Sequence, residues 1–486
     1  MATFYIENFG CRATQADGAA LESQFVERGL ERARAARDAE IVVLNTCTVT
    51  ENADKDARAS IRRVRRENPD CRILVTGCYA QRAPEEIARL PGVTWVVGNS
   101  HKHRAAEIAT SKQSSQPGFV PLAQLSLNVL AENRGNNIFV GDIFAHAELL
   151  AAPVFEAANQ RTRPNLKVQD GCDNRCSFCV IPSVRGQSRS LPLERVLTEV
   201  RCLVNAGYRE VVISGINLGR WGRDLETSSQ LSALSSQGVR PRFELLVRAI
   251  LEHTSLEKLR ISSVEPMDWS GELIELMATS TRIAKHTHVP LQSGSDAVLR
   301  RMHRKYRPWH YRDKITKIRN AMPSAAIGAD VMVGFPGETE QEFNETRRMV
   351  EELPFTYLHV FTYSARPGTP AATHARQLSA VVANERNRIL RDLAAAKKAE
   401  FMRAQGGYVV EAITLRAGNS DFTEALTDNY LKLKVAGQLE SNRWLKVRVD
   451  GSVGDMLEGR ALQRSAVSQS GYTAAIGCPP YARPQV

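Results

Sequence analysis

The sequence predicts an α/β protein with an open α/β domain at the N-terminus, an incomplete (β/α)6 barrel and a small C-terminal β-barrel. Three observations predict this. Apolar runs alternate with basic, Ala-rich helical patterns up to about residue 105. Six strand-like segments then alternate with helical patterns across residues 164–380. Short alternating segments separated by Gly and polar turns follow residue 407.

The first part contains three apolar runs that are typical of buried parallel strands, and each run ends at or just before a cysteine. These cysteines are Cys11, Cys47 and Cys78. The loops that follow parallel strands gather at one edge of an open sheet, so the three thiols could meet there. The sequence alone leaves two interpretations open: a metal site with three thiolates, or three buried structural cysteines.

The length of 486 residues is enough for about three domains. We expect an N-terminal domain at 1–105, a variable linker at 106–160, the larger barrel at 161–395, the small barrel at 396–465 and a disordered tail at 466–486.

Six segments are candidate strands of the larger barrel. They are Leu166–Gln169, Glu210–Ser214, Lys258–Ser262, His286–Pro290, Ala326–Gly334 and Tyr357–Tyr363. Chemistry in such barrels takes place at the carboxyl ends of the strands. Polar and glycine residues follow several of these strands, and glycine lets the backbone approach a ligand closely.

Cys172, Cys176 and Cys179 follow the first of these strands with the spacing C-x3-C-x2-C. Three thiolates so close together can hold one metal centre. A [4Fe–4S] cluster normally takes four cysteines, so three would leave one iron open. The alternative is a zinc site, but no further His or Cys follows until Cys202, in a segment with a helical pattern.

The triplet resembles the signature of the radical S-adenosylmethionine enzymes. The resemblance implies that Cys172, Cys176 and Cys179 are catalytic ligands of a [4Fe–4S] cluster whose open iron chelates S-adenosylmethionine. It also makes the residues around the barrel mouth candidates for binding S-adenosylmethionine. These candidates are Phe178, Ser214, Gly215, Asn217, Ser263, Glu265, Gln292 and Ser293.

Most of the chain, roughly residues 1–100 and 160–465, resembles the methylthiotransferase family of these enzymes. The motifs that carry the resemblance are Gly10-Cys11, Asn45–Thr50, Thr76–Gln81, Val97–Asn99, Ile181–Gly186, Ser188–Ser190 and His288–Ser295, followed by Met302, Arg304 and Tyr306. The resemblance implies a second [4Fe–4S] cluster on Cys11, Cys47 and Cys78. The family usually has Asn three residues after the first cysteine, whereas this chain has Thr14.

The C-terminal run Thr427–Val435 resembles the TRAM domain, a small RNA-binding barrel. The residues that we expect to bind RNA are Tyr430, Lys432, Lys434, Lys446 and Arg448. Lysine and arginine would contact phosphates, and the tyrosine would stack on a base. Without the resemblance, alternating lysines equally indicate the solvated face of a strand.

Composition agrees with a nucleic-acid partner in the cytoplasm. The net charge is +11, which favours a polyanion. Clustered cysteines indicate a reducing compartment. We expect no signal peptide and no membrane partner. The resemblance implies the anticodon arm of tRNA as a partner, and an electron donor such as flavodoxin or ferredoxin.

The resemblance implies a tRNA methylthiotransferase that converts N6-threonylcarbamoyladenosine to its 2-methylthio derivative. Thr48-Val49-Thr50 and Gly186–Ser190 resemble the branch with this substrate. Two other substrates stay open: isopentenyladenosine in tRNA and an aspartate of a ribosomal protein. A different class also stays open, namely a non-catalytic iron–sulfur RNA-binding redox sensor.

Overall fold

The computed structural model describes residues 2–111, 137–145, 149, 162–225, 242–417 and 421–462. The predicted tail at 466–486 and most of the predicted linker at 106–160 lie outside these residues. The described residues fall into two compact units. The first unit contains the described residues of Met1–Val154, Lys167–Leu191 and Ser364–Thr373. The second unit contains the described residues of Phe155–Leu166, Pro192–Tyr363 and His374–Val486. The domain boundaries expected from the sequence stay predictions.

The first unit is built around a six-stranded parallel sheet with the order β2-β1-β3-β4-β5-β6. Its strands are β1 (Thr3–Asn8), β2 (Glu31–Arg32), β3 (Ile41–Thr46), β4 (Arg72–Gly77), β5 (Val93–Gly98) and β6 (Ile138–Phe139). Its helices are α1 (Arg12–Glu27), α2 (Glu51–Glu67), α3 (Cys78–Arg82), α4 (Pro84–Ala88) and α5 (Ala105–Thr110).

Helices cover both faces of this sheet, which explains the continuous apolar runs. Every residue of β3 is buried, and two separate apolar clusters pack on the sheet. A strand that is buried on both faces needs apolar side chains at successive positions rather than at alternate ones. The sequence therefore shows the strands as runs, and these end at the loops that carry the three cysteines.

A short hairpin-like pair and a short helix complete the described part of the first unit. β7 (Asn165–Asp170) begins in the second unit and continues into the first, where it pairs with β8 (Arg189–Ser190) in antiparallel fashion. Between them lie the C-x3-C-x2-C loop and α6 (Ile181–Arg185).

The second unit contains parallel strands of the larger barrel. They are β9 (Glu210–Gly215), β10 (Lys258–Ile261), β11 (His286–His288), β12 (Ala326–Val333) and β13 (Tyr357–Thr362). The helices are α7 (Leu193–Asn205), α8 (Phe243–His253), α9 (Gly271–Thr279), α10 (Asp296–Arg301), α11 (Pro308–Ala321), α12 (Glu340–Glu352) and α13 (Ala380–Arg403). Together with β7, these strands match the six predicted from the sequence.

A closed five-stranded barrel follows α13 in the second unit, with the order β14-β15-β16-β18-β17. Its strands are β14 (Val409–Ala417), β15 (Phe422–Thr427), β16 (Lys432–Ala436), β17 (Trp444–Val453) and β18 (Met456–Ala461). The segments expected from the sequence were Tyr408–Leu415, Tyr430–Val435 and Trp444–Val449. They omit β15 and β18, and the second of them begins before β16 does. Tyr430 cannot continue a strand because its φ is +68°.

The predicted fold class, with an α/β N-terminal part, a βα barrel and a small β-barrel, is confirmed. Among the described residues, no helix is both long enough and apolar enough to cross a bilayer.

Candidate active site

The loops after β1, β3 and β4 bring Cys11, Cys47 and Cys78 together at the carboxyl edge of the first sheet. The pKa of the Cys47 thiol is raised to about 12, first by burial and then by the neighbouring thiols of Cys78 and Cys11. Gly10 makes the close approach possible. A Cβ at this glycine, whose φ is +95°, would lie only 2.7 Å from the Cys47 Cβ. Only glycine tolerates both this conformation and this space.

The three thiols differ in exposure, and polar groups contact two of them. Cys47 and Cys78 are buried, whereas Cys11 is exposed. Asn99 Nδ2 lies 3.6 Å from Cys78 Sγ as a donor. Thr14 Oγ1 lies 3.6 Å from Cys11 Sγ. The residue at which this chain departs from the family pattern is therefore in contact with the first thiol.

A buried network of charged side chains lies beside these thiols. Asp17 Oδ2 accepts from Lys102 Nζ and Arg185 Nη2, each at 2.9 Å, and Asp17 also pairs with Lys167. Asp170 accepts from Lys167 Nζ at 2.8 Å and from Arg185 Nη1 at 2.9 Å. Three cations thus face two carboxylates. The excess positive charge favours an anionic partner such as a thiolate-ligated cluster.

Arg185 connects this network to the thiols. Burial lowers its pKa, but Asp170, Cys78, Asp17 and Cys11 together hold the pKa well above the usual value. The guanidinium therefore stays charged. Its charge partly opposes the rise in the pKa of the Cys47 thiol, which must lose its proton to ligate iron. Soft sulfur donors beside a fixed positive charge fit an iron–sulfur cluster.

A second buried charge cluster fixes the chain directly after Cys47. Thr48 Oγ1 donates to Asp54 Oδ1 at 2.6 Å. Asp54 also accepts from Arg82 Nη2 at 2.8 Å and pairs with Arg366. These contacts tie the second cysteine loop to α2, to α3 and to the segment at Ser364–Thr373 within the same unit.

The C-x3-C-x2-C loop folds back on the chain that follows it. The N–H of Cys172 donates to the carbonyl of Gly186 at 3.0 Å, and that of Cys179 donates to the carbonyl of Cys176 at 3.1 Å. Gly171 has a φ of +71°, and a Cβ there would collide with a backbone carbonyl. All three cysteines are partly exposed, as a loop that must receive a metal centre requires. Phe178 is also partly exposed in this loop.

The remaining candidates for binding S-adenosylmethionine lie in the second unit, at the carboxyl ends of β9, β10 and β11. They are Ser214, Gly215, Asn217, Ser263, Glu265, Gln292 and Ser293. Within the described part of the chain, Ser214 Oγ and Gln292 Oε1 are buried and have no hydrogen-bond partner. Gln292 also has a φ of +62°. Buried polar atoms without a partner are costly, so these two oxygens are candidates for a hydrogen bond from a bound ligand.

Two of these candidates have internal partners. The Ser293 hydroxyl lies 3.0 Å from Thr346 Oγ1 and accepts from the N–H of Ser295 at 3.2 Å. Ser293 is fully buried and these bonds hold its loop, and its contact with S-adenosylmethionine stays a prediction. Glu265 forms an ion pair with the buried Arg304. Burial raises the pKa of Glu265, and Arg304 partly opposes this shift.

The ring of Tyr430 is engaged within the second unit. It lies 4.4 Å from the His286 ring and 6.1 Å from the Tyr357 ring, and the Arg260 guanidinium lies 5.4 Å from its centroid. These contacts join the small barrel to the larger strands. The expectation that Tyr430 stacks on an RNA base stays a prediction, and its ring is already in contact with these side chains.

Two of the four lysines and arginines expected to bind RNA lie beside acidic groups. Lys432 Nζ is 3.3 Å from Asp455, and Lys434 Nζ is 3.9 Å from Glu458. Lys446 and Arg448 lie on β17 and are exposed. Residues 408–462 contain seven Lys and Arg but eight Asp and Glu, so the small barrel is not basic overall.

Basic residues are numerous around α10 and α11, although most of them, like Lys432 and Lys434, lie beside acidic groups. Residues 296–319 contain nine Lys and Arg but only two Asp and Glu. Trp309, in the first turn of α11, is 57% exposed, and Lys305 just before it is exposed as well. An exposed aromatic ring among cations is the composition of a nucleic-acid surface. The sequence prediction missed this segment because several of its residues belong to the His288–Tyr306 motif.

Comparisons with known proteins agree with this architecture. The family described as "Uncharacterized protein family UPF0004" matches residues 3–98, and the "Radical SAM superfamily" matches residues 166–350. A Bacillus subtilis protein, "Threonylcarbamoyladenosine tRNA methylthiotransferase MtaB", is 38% identical over 90% of this chain and 91% of its own length. The Aquifex aeolicus protein of the same name is 34% identical over 91% of this chain and 99% of its own length.

A relative with a different name is similar to nearly the same extent. The "tRNA-2-methylthio-N(6)-dimethylallyladenosine synthase" of Erythrobacter litoralis is 33% identical over 86% of this chain and 87% of its own length. The fold and the cysteine sites define a radical S-adenosylmethionine enzyme with a second group of thiols. The chain belongs to the methylthiotransferase family of these enzymes.

Proposed function

We propose that this protein is a tRNA methylthiotransferase acting on N6-threonylcarbamoyladenosine next to the anticodon. The product would be 2-methylthio-N6-threonylcarbamoyladenosine, in which C–S–CH3 replaces an aromatic C–H. The observation that carries the proposal is the convergence of Cys11, Cys47 and Cys78 into a second three-thiol site. Relatives named for the threonylcarbamoyl substrate, at 29–38% identity over most of the chain, support the choice of substrate.

The residues that would hold the cofactors form two sets. Cys172, Cys176 and Cys179 would bind one [4Fe–4S] cluster, and Cys11, Cys47 and Cys78 would bind the other. When bound, the clusters and S-adenosylmethionine supply the radical, sulfur and methyl chemistry that side chains cannot provide.

The protein's own residues bind and orient the clusters and S-adenosylmethionine. Arg185 keeps a positive charge beside the N-terminal thiols and, with Asp17, locks α1 and β7 into one rigid arrangement. Ser214 Oγ and Gln292 Oε1 offer buried polar atoms to S-adenosylmethionine. We propose Phe178, Gly215, Asn217, Ser263 and Glu265 as further contacts because they occupy the strand ends or lie beside a cluster thiol.

The proposed partner is the anticodon arm of tRNA, and a flavodoxin or ferredoxin would donate electrons. Exposed cations support an RNA partner. Lys446 and Arg448 lie on the small barrel, whereas Lys305 and Trp309 lie at the start of α11. Cytoplasmic localisation stays a prediction.

Nucleoside analysis of tRNA tests the proposal. The wild-type gene and a Cys47→Ala variant are expressed in a bacterial strain that lacks its own threonylcarbamoyladenosine methylthiotransferase. We expect the 2-methylthio product with the wild type and none with Cys47→Ala. Cys71→Ala is the matched control, because Cys71 is also buried in the first unit but has no place in either thiol set. Methylthiolation of dimethylallyladenosine alone would contradict the proposed substrate.

A further inference from the structure

Two histidines and one aspartate meet on one face of the second unit's sheet. His288 lies on β11, Asp330 on β12 and His359 on β13, which are adjacent parallel strands. Asp330 is directly paired with His359, and His288 is paired with Gly328, two residues before Asp330. Side chains two residues apart on a strand share a face, so all three point to the same side of the sheet. None belongs to the thiol sets or to the predicted cofactor contacts.

The polar atoms of this cluster, which we call the His–Asp–His cluster, converge closely. His288 Nε2 and His359 Nδ1 each lie 3.1 Å from the same oxygen, Asp330 Oδ1. All three ligand atoms lie within 4.8 Å of one another. Ligand atoms bound to one zinc ion at about 2.0–2.1 Å in tetrahedral geometry lie roughly 3.3 Å apart. The observed separations therefore need little movement to accept an ion.

The chemistry of the donors also suits a metal ion. Burial raises the pKa of Asp330, but the neighbouring imidazoles of His288 and His359 outweigh it and hold the pKa well below its usual range. The carboxylate is therefore charged and able to bind a cation. Two imidazoles and one carboxylate are a ligand set for divalent transition metals, and three protein ligands leave a position open for an oxygen ligand.

The cluster rests on rigid surroundings. Tyr357 lies on the same face of β13, next to both histidines of the cluster, with ring distances of 6.0 Å to His288 and 5.4 Å to His359. The Tyr357 hydroxyl lies 2.7 Å from His286 Nε2. Gly328 makes room for this ring, since a Cβ there would lie 2.1 Å from it. The ligands thus stand on strands with packed neighbours, as a selective metal site requires.

We propose that His288, Asp330 and His359 bind one divalent transition-metal ion, separately from the cysteine sites. The side facing solvent is open, since the His359 side chain is 62% exposed and that of Asp330 is 25% exposed. Two neutral imidazoles and one carboxylate around a doubly charged ion leave one net positive charge. The open position would take an anionic oxygen ligand. If the proposed function is correct, the carboxylate of the threonylcarbamoyl group is such a ligand.

Zinc is the appropriate probe for this site. Affinity of a given nitrogen and oxygen site generally rises from Fe²⁺ to Zn²⁺, so a site for ferrous iron also binds zinc. Full-length protein with its cysteines loaded with iron–sulfur clusters is titrated with Zn²⁺, and bound zinc is measured after desalting. His359→Gln and Asp330→Asn are compared with the wild type. His253→Gln, an exposed histidine at the end of α8, is the matched control.

We expect one zinc per chain in the wild type and in His253→Gln, with at least tenfold weaker binding in His359→Gln and in Asp330→Asn. X-ray absorption should show nitrogen and oxygen neighbours at about 2.0–2.1 Å and no sulfur at about 2.3 Å. Zinc affinity that is equal in all four proteins, a sulfur shell, or no zinc in the wild type would each overturn the proposal. Zinc binding is measured without the tRNA reaction. A failure of the proposed metal site can therefore be distinguished from a failure of the proposed function.

Discussion

At the scale of single residues, the N-terminal thiol site depends on positions that are not ligands. Gly10 gives Cys47 the space to approach, and Thr14 and Asn99 contact the other two thiols. Asp17 lies one helical turn beyond Thr14 and gathers three cations around one carboxylate. The conformation of Gly10 and the buried ion pairs of Asp17 therefore both support the N-terminal thiol site. Each can be altered by a substitution that leaves all three cysteines in place.

Gly10→Ala should disrupt the N-terminal thiol site. The substitution forces a left-handed residue, at a cost of about 1–2 kcal/mol, and places a methyl group against Cys47. Gly29→Ala is the matched control, because Gly29 has a φ of +78° and open space around its Cα. Iron content after anaerobic reconstitution should fall by about half in Gly10→Ala and stay near wild type in Gly29→Ala. Equal iron in both variants would contradict this account.

Asp17→Asn should destabilise the first unit by roughly 3–5 kcal/mol, because buried cations lose the carboxylate that compensates them. Asp313→Asn is the control. Its exposed pair with Lys317 has a similar distance of 2.8 Å but is screened by water, so its loss should leave the free energy of unfolding close to that of the wild type. Urea denaturation of the cluster-free protein measures both effects.

The effect of Asp17→Asn should depend on pH. The folded-state pKa of Asp17 is held well below its usual value, since three cations outweigh the effect of burial. The stabilisation that the Asp17 carboxylate contributes to the folded state is therefore fully present above the unfolded-state pKa of about 3.9. It is lost as the pH falls below that value towards the folded-state pKa. The difference in unfolding free energy between wild type and Asp17→Asn should narrow below about pH 4. A difference that stays constant down to pH 3 would contradict the ion-pair explanation.

At the scale of elements, the small barrel is part of the second unit's packing. Arg260 Nη1 donates to the carbonyl of Asp428 at 3.0 Å. Lys258 Nζ lies 2.9 Å from Glu411 and 4.9 Å from the centroid of the Trp444 ring. Deleting the chain after residue 400 would remove these contacts from two buried cations. Point variants, rather than truncation, are therefore the sharper test of RNA binding.

A comparison of two double variants should locate the RNA surface. Lys305→Ala with Trp309→Ala removes a charge and an exposed ring near α11, and Lys446→Ala with Arg448→Ala removes two charges from β17. We expect the α11 variant to weaken tRNA binding more, because base stacking on an aromatic ring contributes about 1–3 kcal/mol. Each lost phosphate contact should reduce the slope of log K against log salt by roughly 0.9 on duplex or 0.7 on single strands.

Filter binding or fluorescence anisotropy at several salt concentrations measures both the tRNA affinity and its salt dependence. Lys55→Ala, in an exposed pair on α2, is the control and should bind tRNA like the wild type. A larger loss of tRNA affinity in the β17 variant would instead assign the main contact with tRNA to the small barrel.

At the scale of the whole molecule, the protein carries two independent groups of three cysteines. Reconstituted wild-type protein should hold about eight irons if both groups bind [4Fe–4S] clusters. Replacing Cys172, Cys176 and Cys179 with Ala should leave about half of the iron, because the three N-terminal thiols lie on loops of the first sheet and not on the C-x3-C-x2-C loop. Unchanged iron in this triple variant would refute the assignment.

The two groups of cysteines should also have different roles in the reaction. We expect Cys47→Ala to cleave S-adenosylmethionine to 5′-deoxyadenosine under anaerobic reducing conditions but to form no methylthio product. The physical reason is that the C-x3-C-x2-C loop lies after β7 and takes no ligand from β3. Liquid chromatography of the nucleosides measures both outcomes. Complete loss of cleavage, with the barrel cluster intact by its absorption spectrum, would show that the roles are not divided in this way.

Local patterns were enough to predict the strands of the larger barrel and the apolar strands that precede the N-terminal cysteines. Strands buried on both faces appear as apolar runs, and the C-x3-C-x2-C spacing lies within one loop, so both can be read along the chain. The positions of Cys11, Cys47 and Cys78 after such runs indicated where they would meet. The motif resemblance extended this to the family, which the relatives confirm.

Only the tertiary structure decided which distant side chains share a site. Asp17 and Lys167 are far apart in sequence and look like ordinary surface charges, and His288, Asp330 and His359 come from three different strands. The tertiary structure also showed that Tyr430 packs inside the second unit. A single sequence shows which residues are near in the chain, but strand order and register determine which residues are near in space. Burial and pairing then decide whether a charge is structural, catalytic or free to bind RNA.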